Sequence, residues 1–271
     1  MAVVPFTPIS VSRISPNRIA LPDSVCFRVT RYCNARCGFC LAPPDAGIHP
    51  PAASLLHRID WLIDGAVRTI HFCGGEPTIH PGLADLVLHV KDRGGKSKLT
   101  TNGIKLPEAL PKALRAAGTQ VKVSLHGNQE WHDKMVGRTA FDDTTANIRV
   151  LLSAGVPTSI QTTIVSGGEW VVDWVADFCL QAGVRRLSIL PFIPRGLGLD
   201  RRDEFGLTTV ERRRLHDHVT AKRRELNGRL EVRWLDFTAR PIHVVEPDGR
   251  VVLESATESM DQLICRIPAA P

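Results

Sequence analysis

The stretch Arg31-Tyr32-Cys33-Asn34-Ala35-Arg36-Cys37-Gly38-Phe39-Cys40 sets three thiols four and then three residues apart, directly after the β-rich run Val25–Thr30. Three thiols so spaced on one loop can wrap a single metal centre, and a thiolate cradle suits zinc or an iron–sulfur cluster. Tetrahedral zinc needs a fourth ligand, for which His49, Cys26 and Cys73 are available. A four-iron cluster held by three cysteines instead leaves one iron open. The chain has 7 Cys in 271 residues, an odd number. In a reducing compartment they are read as ligands, reactive groups or packing residues before disulfides.

Outward from that loop the chain repeats a rhythm of short apolar run, helix-period segment, glycine, next run. Strands are expected at Val25–Thr30, Val67–Phe72, Lys98–Thr101, Val121–Leu125, Ser159–Val165 and Arg186–Leu190. Between them, apolar stripes predict five helices: Leu55/Ile59/Leu62/Ala66, Leu83/Leu86/Val87/Val90, Leu110/Leu114/Ala117 after Pro107, Ile148/Leu151/Leu152, and Val172/Val175/Ala176/Cys179. Gly65, Gly94, Gly118, Gly155 and Gly183 stand where each stripe stops, as left-handed C-caps would. Strands alternating with helices imply a parallel α/β sheet with right-handed crossovers, open or barrel-like, with its chemistry at the strand C-terminal ends. A Gly/Pro/Arg-rich loop (192–206) and a basic helix (208–226) follow. Strands at Leu230–Phe237 and Ile242–Val245, the turn Glu246–Gly249 and a return strand Arg250–Glu254 complete the pattern.

Composition excludes several classes. At 43% hydrophobic and 23% charged, with 21 Gly and 19 Pro, the chain is globular rather than disordered, collagenous or a small disulfide scaffold. No run of eighteen apolar residues and no signal-type h-region occurs, so a soluble cytoplasmic protein with no membrane contact is expected. Net charge is +6, carried by 26 Arg and 8 Lys. The clusters Arg212–Arg214 and Lys222–Arg224 alternate with Glu211, Asp217 and Glu225, which reads as a solvated helix face; a nucleic-acid partner is not expected.

Cys-x3-Cys-x2-Cys after the first strand, Phe39 before its last cysteine, and Gly74-Gly75-Glu76-Pro77 after the second strand together resemble the radical S-adenosylmethionine (radical SAM) enzymes, over roughly Phe27 to Arg195. The resemblance implies a partial (β/α)6 TIM-type barrel. Its cofactors would be a 4Fe-4S cluster on Cys33, Cys37 and Cys40, and S-adenosyl-L-methionine, reductively cleaved to a 5′-deoxyadenosyl radical. Cofactor-binding positions carried over are Phe39, Gly74, Gly75, Glu76, Thr101, Asn102 (with Thr100), Ser124, Gln161 and Thr163. Glu76 would receive the methionyl ammonium, and Gln161 and Thr163 should face inward together. The chain departs from the pattern at Cys73, where relatives more often carry Ser or Thr; Cys26, Cys73 and Cys179 are read as packing. The domains expected are an irregular arm (1–24), the radical SAM partial barrel (25–206) and a C-terminal helix and β-hairpin extension (207–271).

Peptide-modifying relatives place a cluster-binding cysteine soon after a Pro-Asp-Gly turn. Here Pro247-Asp248-Gly249 is followed by no cysteine until Cys265, so the tail is expected to hold no cluster. By analogy with sugar-epimerising relatives, Cys265 would be the hydrogen donor to a substrate radical, with a buried packing thiol as the plain alternative. At the barrel mouth His126, Lys122, Arg195, Asn102, Gln161, Trp234, Asp236 and Arg240 suit a polar small-molecule substrate, with His126 and Cys265 as catalytic candidates. The expected activity is hydrogen abstraction from a sugar-containing or nucleoside metabolite, by decarboxylation of a sugar acid or by epimerisation in natural-product biosynthesis. An external low-potential reductant, flavodoxin or ferredoxin, would supply electrons. A peptide-modifying enzyme and a non-catalytic iron–sulfur or zinc module are the alternatives.

Overall fold

The computed structural model describes residues 21–44 and 49–269. The expected N-terminal arm falls mostly outside them. The chain runs β1 (Ser24–Thr30), α1 (Ala52–Asp64), β2 (Thr69–Gly74), α2 (Leu83–Asp92), β3 (Lys96–Thr101), α3 (Leu110–Ala117) and β4 (Gln120–Ser124). It continues α4 (Gln129–Val136), α5 (Phe141–Ser153), β5 (Thr158–Ile164), α6 (Val171–Ala182), β6 (Arg186–Pro191), α7 (Leu197–Asp200), α8 (Arg202–Phe205) and α9 (Thr209–Glu225). The last elements are β7 (Glu231–Trp234), β8 (Ile242–Val245), β9 (Arg250–Glu254) and β10 (Gln262–Arg266).

Among the described residues ten strands form one sheet, in the order β10-β9-β8-β1-β2-β3-β4-β5-β6-β7. The six expected strands lie side by side, parallel and in sequence order, as right-handed crossovers require. Two further strands extend the parallel part, β7 beyond β6 and β8 beside β1. The expected hairpin is the antiparallel pair β8–β9, and β10, a strand that no alternation in the sequence announces, adds antiparallel to β9. With β7 and β10 at its two edges the sheet curves as a partial barrel and does not close.

Alternation along the strands divides core from lumen. Val25, Phe27 and Val29 pack under the helices, as do Ile160 and Ile164 of β5, against the stripes of α1, α2, α3, α5 and α6 that the sequence predicted. Leu215 and Val219 of α9, Val232, Val245, Val251 and Cys265 belong to that same apolar cluster, so the C-terminal elements share one core with the barrel. The basic helix α9 starts with a Thr208/Glu211 capping box. Its Lys222 pairs with Asp173 (2.9 Å) and Glu225 (2.7 Å), in keeping with a solvated face. No described helix is long and apolar enough to cross a membrane.

Four of the five expected glycine caps have positive φ, but Gly65 does not (φ −79°); the left-handed residue there is the exposed Ala66, at φ 72°. The turn closes one residue later than the pattern suggests, through Ala66 N–H to Ile63 O (3.0 Å) and Val67 N–H to Leu62 O (3.0 Å). An alanine in that conformation costs roughly 1 kcal/mol that glycine does not. Ala66→Gly is therefore expected to raise unfolding stability by about 1 kcal/mol in urea denaturation; no gain would mean the helix end relaxes differently.

Candidate active site

The cysteine loop leaves the C-terminal end of β1 and is held on every side. Gly75 N–H donates to Thr30 O and Glu76 N–H to Tyr32 O, both at 2.8 Å, joining the root of the loop to the end of β2. A Cβ on Gly75 would overlap the Tyr32 carbonyl and lie 2.7 Å from Arg31 O, and one on Gly74 (φ +136°) would collide with Thr30 O. The two glycines thus admit the loop's own backbone. Further along, Arg36 N–H donates to Val136 O (2.9 Å), Arg138 Nη1 to Asn34 O (2.7 Å) and Leu197 N–H to Cys40 O (3.0 Å). The helix α4 that carries Val136 was missed because it is short and mostly polar; Asn128, accepting Trp131 N–H at 3.0 Å as N-cap, and Gly137 at its C-cap are the signals that mark it.

Glu76 is buried and its carboxylate braces three elements. Oε1 accepts from Thr78 N–H (3.0 Å), Thr78 Oγ1 (2.7 Å) and Thr101 Oγ1 (2.6 Å), and Oε2 accepts from Asn102 N–H (2.7 Å). Burial raises its pKa against these four donors. Asn102 in turn donates from Nδ2 to Asn34 Oδ1 (2.8 Å), so Glu76, Thr101 and Asn102 fix the ends of β2 and β3 to the cysteine loop. One lone-pair direction on Oε2 is left for a further donor.

The three thiols are close enough to affect one another. Burial is the main cause raising each; it lifts Cys33 to about 11, and Cys37 is raised further by Cys40 and Cys33. Left alone such thiols stay protonated, as Cys40 Sγ donating to Ala42 O (3.1 Å) illustrates, and a metal must displace the protons. Ala35 N–H points at Cys33 Sγ (3.4 Å), the kind of contact that supports an anionic sulfur. Among the described residues no three His, Cys, Asp or Glu side chains form a group able to hold a single ion. A cluster sets its cysteines farther apart than one zinc ion does, so the donor set fits a 4Fe-4S cluster on Cys33, Cys37 and Cys40 better than mononuclear zinc.

Phe39 packs with Met135, Val165, Phe192 and Phe205 and meets the His126 ring edge-on, centroids 4.9 Å apart. His126 is buried, and its Nδ1 accepts Thr163 N–H (3.2 Å). Burial, helped by His132, pushes it down to about 3, so the imidazole stays neutral and fastens β5 to the end of β4. Its geometry suits a positioning role.

Beneath the strand ends lies a cavity of about 910 Å³, lined by the inward side chains of the barrel. Strand register stacks them in layers: Cys26, His71, Lys98 and Gln120 share one; Thr100, Lys122 and Ser159 the next; Ser124, Gln161, Ser188 and Arg233 the one above. Gln161 and Thr163 alternate with Ile160, Thr162 and Ile164, which face the helices. Cys26 and Cys73 line this cavity rather than the core, whereas Cys179 is in the core.

Three expectations change. Cys265 lies opposite Val251, Val251 opposite Val245, and Val245 level with Phe27, all on the face packed against the helices. Register thus turns the Cys265 thiol into the core, away from the lumen. Arg195 is not a free cation at the mouth: it grips Asp261 through two bonds (2.9 and 2.6 Å) and reaches Glu254 (3.3 Å). Arg28 in turn holds Glu254 through two bonds (2.8 and 2.9 Å) and also Glu246, which Arg31 of the cysteine loop holds at 2.7 and 3.0 Å. Asp236 is likewise occupied, by Arg212 at 2.6 Å.

Comparison with known proteins agrees with this arrangement. Residues 27–178 match the family model described as Radical SAM superfamily. The chain is 30% identical over 199 residues to the AdoMet-dependent heme synthase of Methanosarcina barkeri, covering 70% of this chain and 56% of that protein. It is 27% identical over 209 residues to the mycofactocin maturase MftC of Mycolicibacterium smegmatis, covering 74% of this chain and 52% of that one. The chain thus spans about half the length of these relatives. Among solved structures, anSMEcpe with bound AdoMet superposes with a TM-score of 0.72 at 16% identity, over 90% of this chain and 77% of that one. Streptococcus suis SuiB bound to precursor peptide SuiA gives 0.73 at 16%, over 87% and 60%. With the three-cysteine loop, the Gly-Gly-Glu strand end and the parallel partial barrel on one frame, the chain belongs to the radical SAM superfamily, whose members use a 4Fe-4S cluster and S-adenosylmethionine.

Proposed function

We propose that this radical SAM enzyme takes hydrogen from a small polar, sugar-containing or nucleoside molecule held in the barrel lumen. The single observation behind this reading is the 910 Å³ cavity itself, which is within the range of small-molecule sites and lined by Lys122, Gln161, Ser159, Ser188, Thr100 and His71. When bound, the cluster and S-adenosylmethionine supply the 5′-deoxyadenosyl radical, with electrons from a flavodoxin- or ferredoxin-type donor. The chain's own residues do the rest. Cys33, Cys37 and Cys40 hold the cluster, and Glu76, Thr101 and Asn102 keep the loop and strand ends rigid. Phe39 covers one side and neutral His126 supports it from behind, keeping water from the lumen. Ser124, Gln161 and Thr163 line the wall where the cofactor and substrate meet. The transformation in this reading is decarboxylation of a sugar acid or epimerisation, and Cys73 and Cys26 are the thiols that face the substrate.

A second reading is a peptide substrate, as in the solved structure of SuiB bound to precursor peptide SuiA, which shares this fold. The two separate by isotope transfer. Extract from cells grown in heavy water is split into small-molecule and peptide fractions, and each is incubated with reconstituted enzyme and unlabelled S-adenosylmethionine. Deuterium should enter 5′-deoxyadenosine from the small-molecule fraction; transfer from the peptide fraction alone would contradict the proposal.

A further inference from the structure

The floor of the lumen carries positive charge that the protein does not neutralise. Lys122 enters it from β4, between Thr100 of β3 and Ser159 of β5, and has no hydrogen bond or ion pair with any described residue. Lys98, one layer lower at the solvent-exposed foot of β3, is also unpaired among the described residues. On the facing wall Arg186 and Arg233 share a single carboxylate, Glu231, at 2.8 and 2.5 Å. Of these side chains Lys98, Arg233 and Glu231 reach solvent, and Lys122 is the inward cation left without a carboxylate among the described residues. Burial pushes the Lys122 amine down to about 8, and the nearby charges of Lys98, Arg233 and Arg186 add to that, against Cys26. Holding an unpartnered cation in a partly dry cavity is unfavourable unless an anion joins it.

We propose that this floor is an anion-binding subsite that holds the phosphate group of a phosphorylated sugar or nucleoside, with Lys122 as its central contact. A monocarboxylate would balance one of the excess charges; a phosphate ester carries close to two and offers three acceptor oxygens. Ser188 and Gln161 add neutral donors one layer above. Lys122 lies two residues below Ser124 on the same strand, about 7 Å at the strand rise. An anchor there would leave the sugar directed toward the strand ends. The inference rests on reading the lumen as the substrate pocket.

Isothermal titration of the full chain with inorganic phosphate tests it, with acetate at matched ionic strength as comparison. Wild type should bind phosphate saturably, Lys122→Gln at least about tenfold more weakly, and the exposed Lys112→Gln as wild type. Equal phosphate affinity in wild type and Lys122→Gln, or acetate binding as well as phosphate, would overturn the assignment. Should Lys122→Gln fail to fold, wild-type protein is labelled with acetic anhydride with and without phosphate. Protection of Lys122 but not Lys112 supports the subsite, and equal labelling of Lys122 overturns it. Iron uptake and S-adenosylmethionine cleavage are scored in parallel, so lost anion binding with intact cleavage removes the subsite and leaves the enzyme reading standing.

Discussion

Gly75→Ala is expected to abolish iron–sulfur loading while leaving most of the barrel folded. The added methyl would occupy the space of the Tyr32 carbonyl and press on Arg31 O, the backbone that leads into Cys33. Neither neighbour is a flexible side-chain end, so the root of the loop must move. With it go the Glu76 N–H to Tyr32 O bond and the placement of the first thiol. A core-type clash of this kind destabilises by about 3 kcal/mol. The comparison variant is Gly94→Ala: its methyl meets nothing within 4 Å, although φ is +74°, so only roughly 1 kcal/mol of backbone strain is expected and iron uptake should be unchanged. Iron content and the visible absorption of the reconstituted variants decide the matter. Normal loading of Gly75→Ala would show that the loop tolerates a shifted root.

Arg28→Met is expected to lower stability by about 3 kcal/mol, because it leaves buried carboxylates with too few partners. Arg28 is 6% exposed and joins the barrel interior to the β8–β9 turn at Glu246 and to the end of β9 at Glu254. Arg195 and Asp261 continue the chain of charges to the approach of β10, and Arg31 ties it to the cysteine loop. The network therefore adds side-chain ties to the backbone pairing of β8 with β1, and fastens the β8–β9 turn and the end of β9 to the cysteine loop. Arg28→Lys should recover only part of the loss, since an ammonium cannot make the paired contact with Glu254. Urea unfolding measures both variants, and a change within about 0.5 kcal/mol would rule the brace out. The acid limb carries the same signature. Burial tends to raise the pKa of Asp261, but the Arg195 bonds outweigh it and hold the carboxyl below its ordinary value. A carboxyl whose pKa is depressed on folding stabilises at neutral pH and loses that contribution as pH falls through and below the usual carboxylate range.

The barrel was readable because its signals are local. Apolar stripes such as Leu83/Leu86/Val87/Val90 and positive-φ glycines such as Gly118 and Gly183 act within a few residues, and the cysteine spacing is itself a loop property. What escaped depends on distant register. Arg28 meets Glu254 across 226 positions, and nothing near either residue announces the pair. Cys265 has the composition of a candidate donor, but which way its thiol points follows from its pairing with Val251, and a one-residue slip would reverse it. Cys26 failed in the opposite sense: a small apolar residue in a β-rich run reads as core, and alternation turned it into the lumen. The glycines before Glu76 stand out in the sequence, while the close approach of two backbones that they permit needed the fold.

Anaerobic reconstitution of the full chain with iron and sulfide, followed by dithionite and S-adenosylmethionine, tests whether Cys33, Cys37 and Cys40 hold a cluster that cleaves S-adenosylmethionine. A brown protein with about four irons per chain, a reduced-cluster resonance that changes when S-adenosylmethionine is added, and formation of 5′-deoxyadenosine are predicted. Uptake of zinc in place of a cluster, with no 5′-deoxyadenosine under reductant, would contradict it.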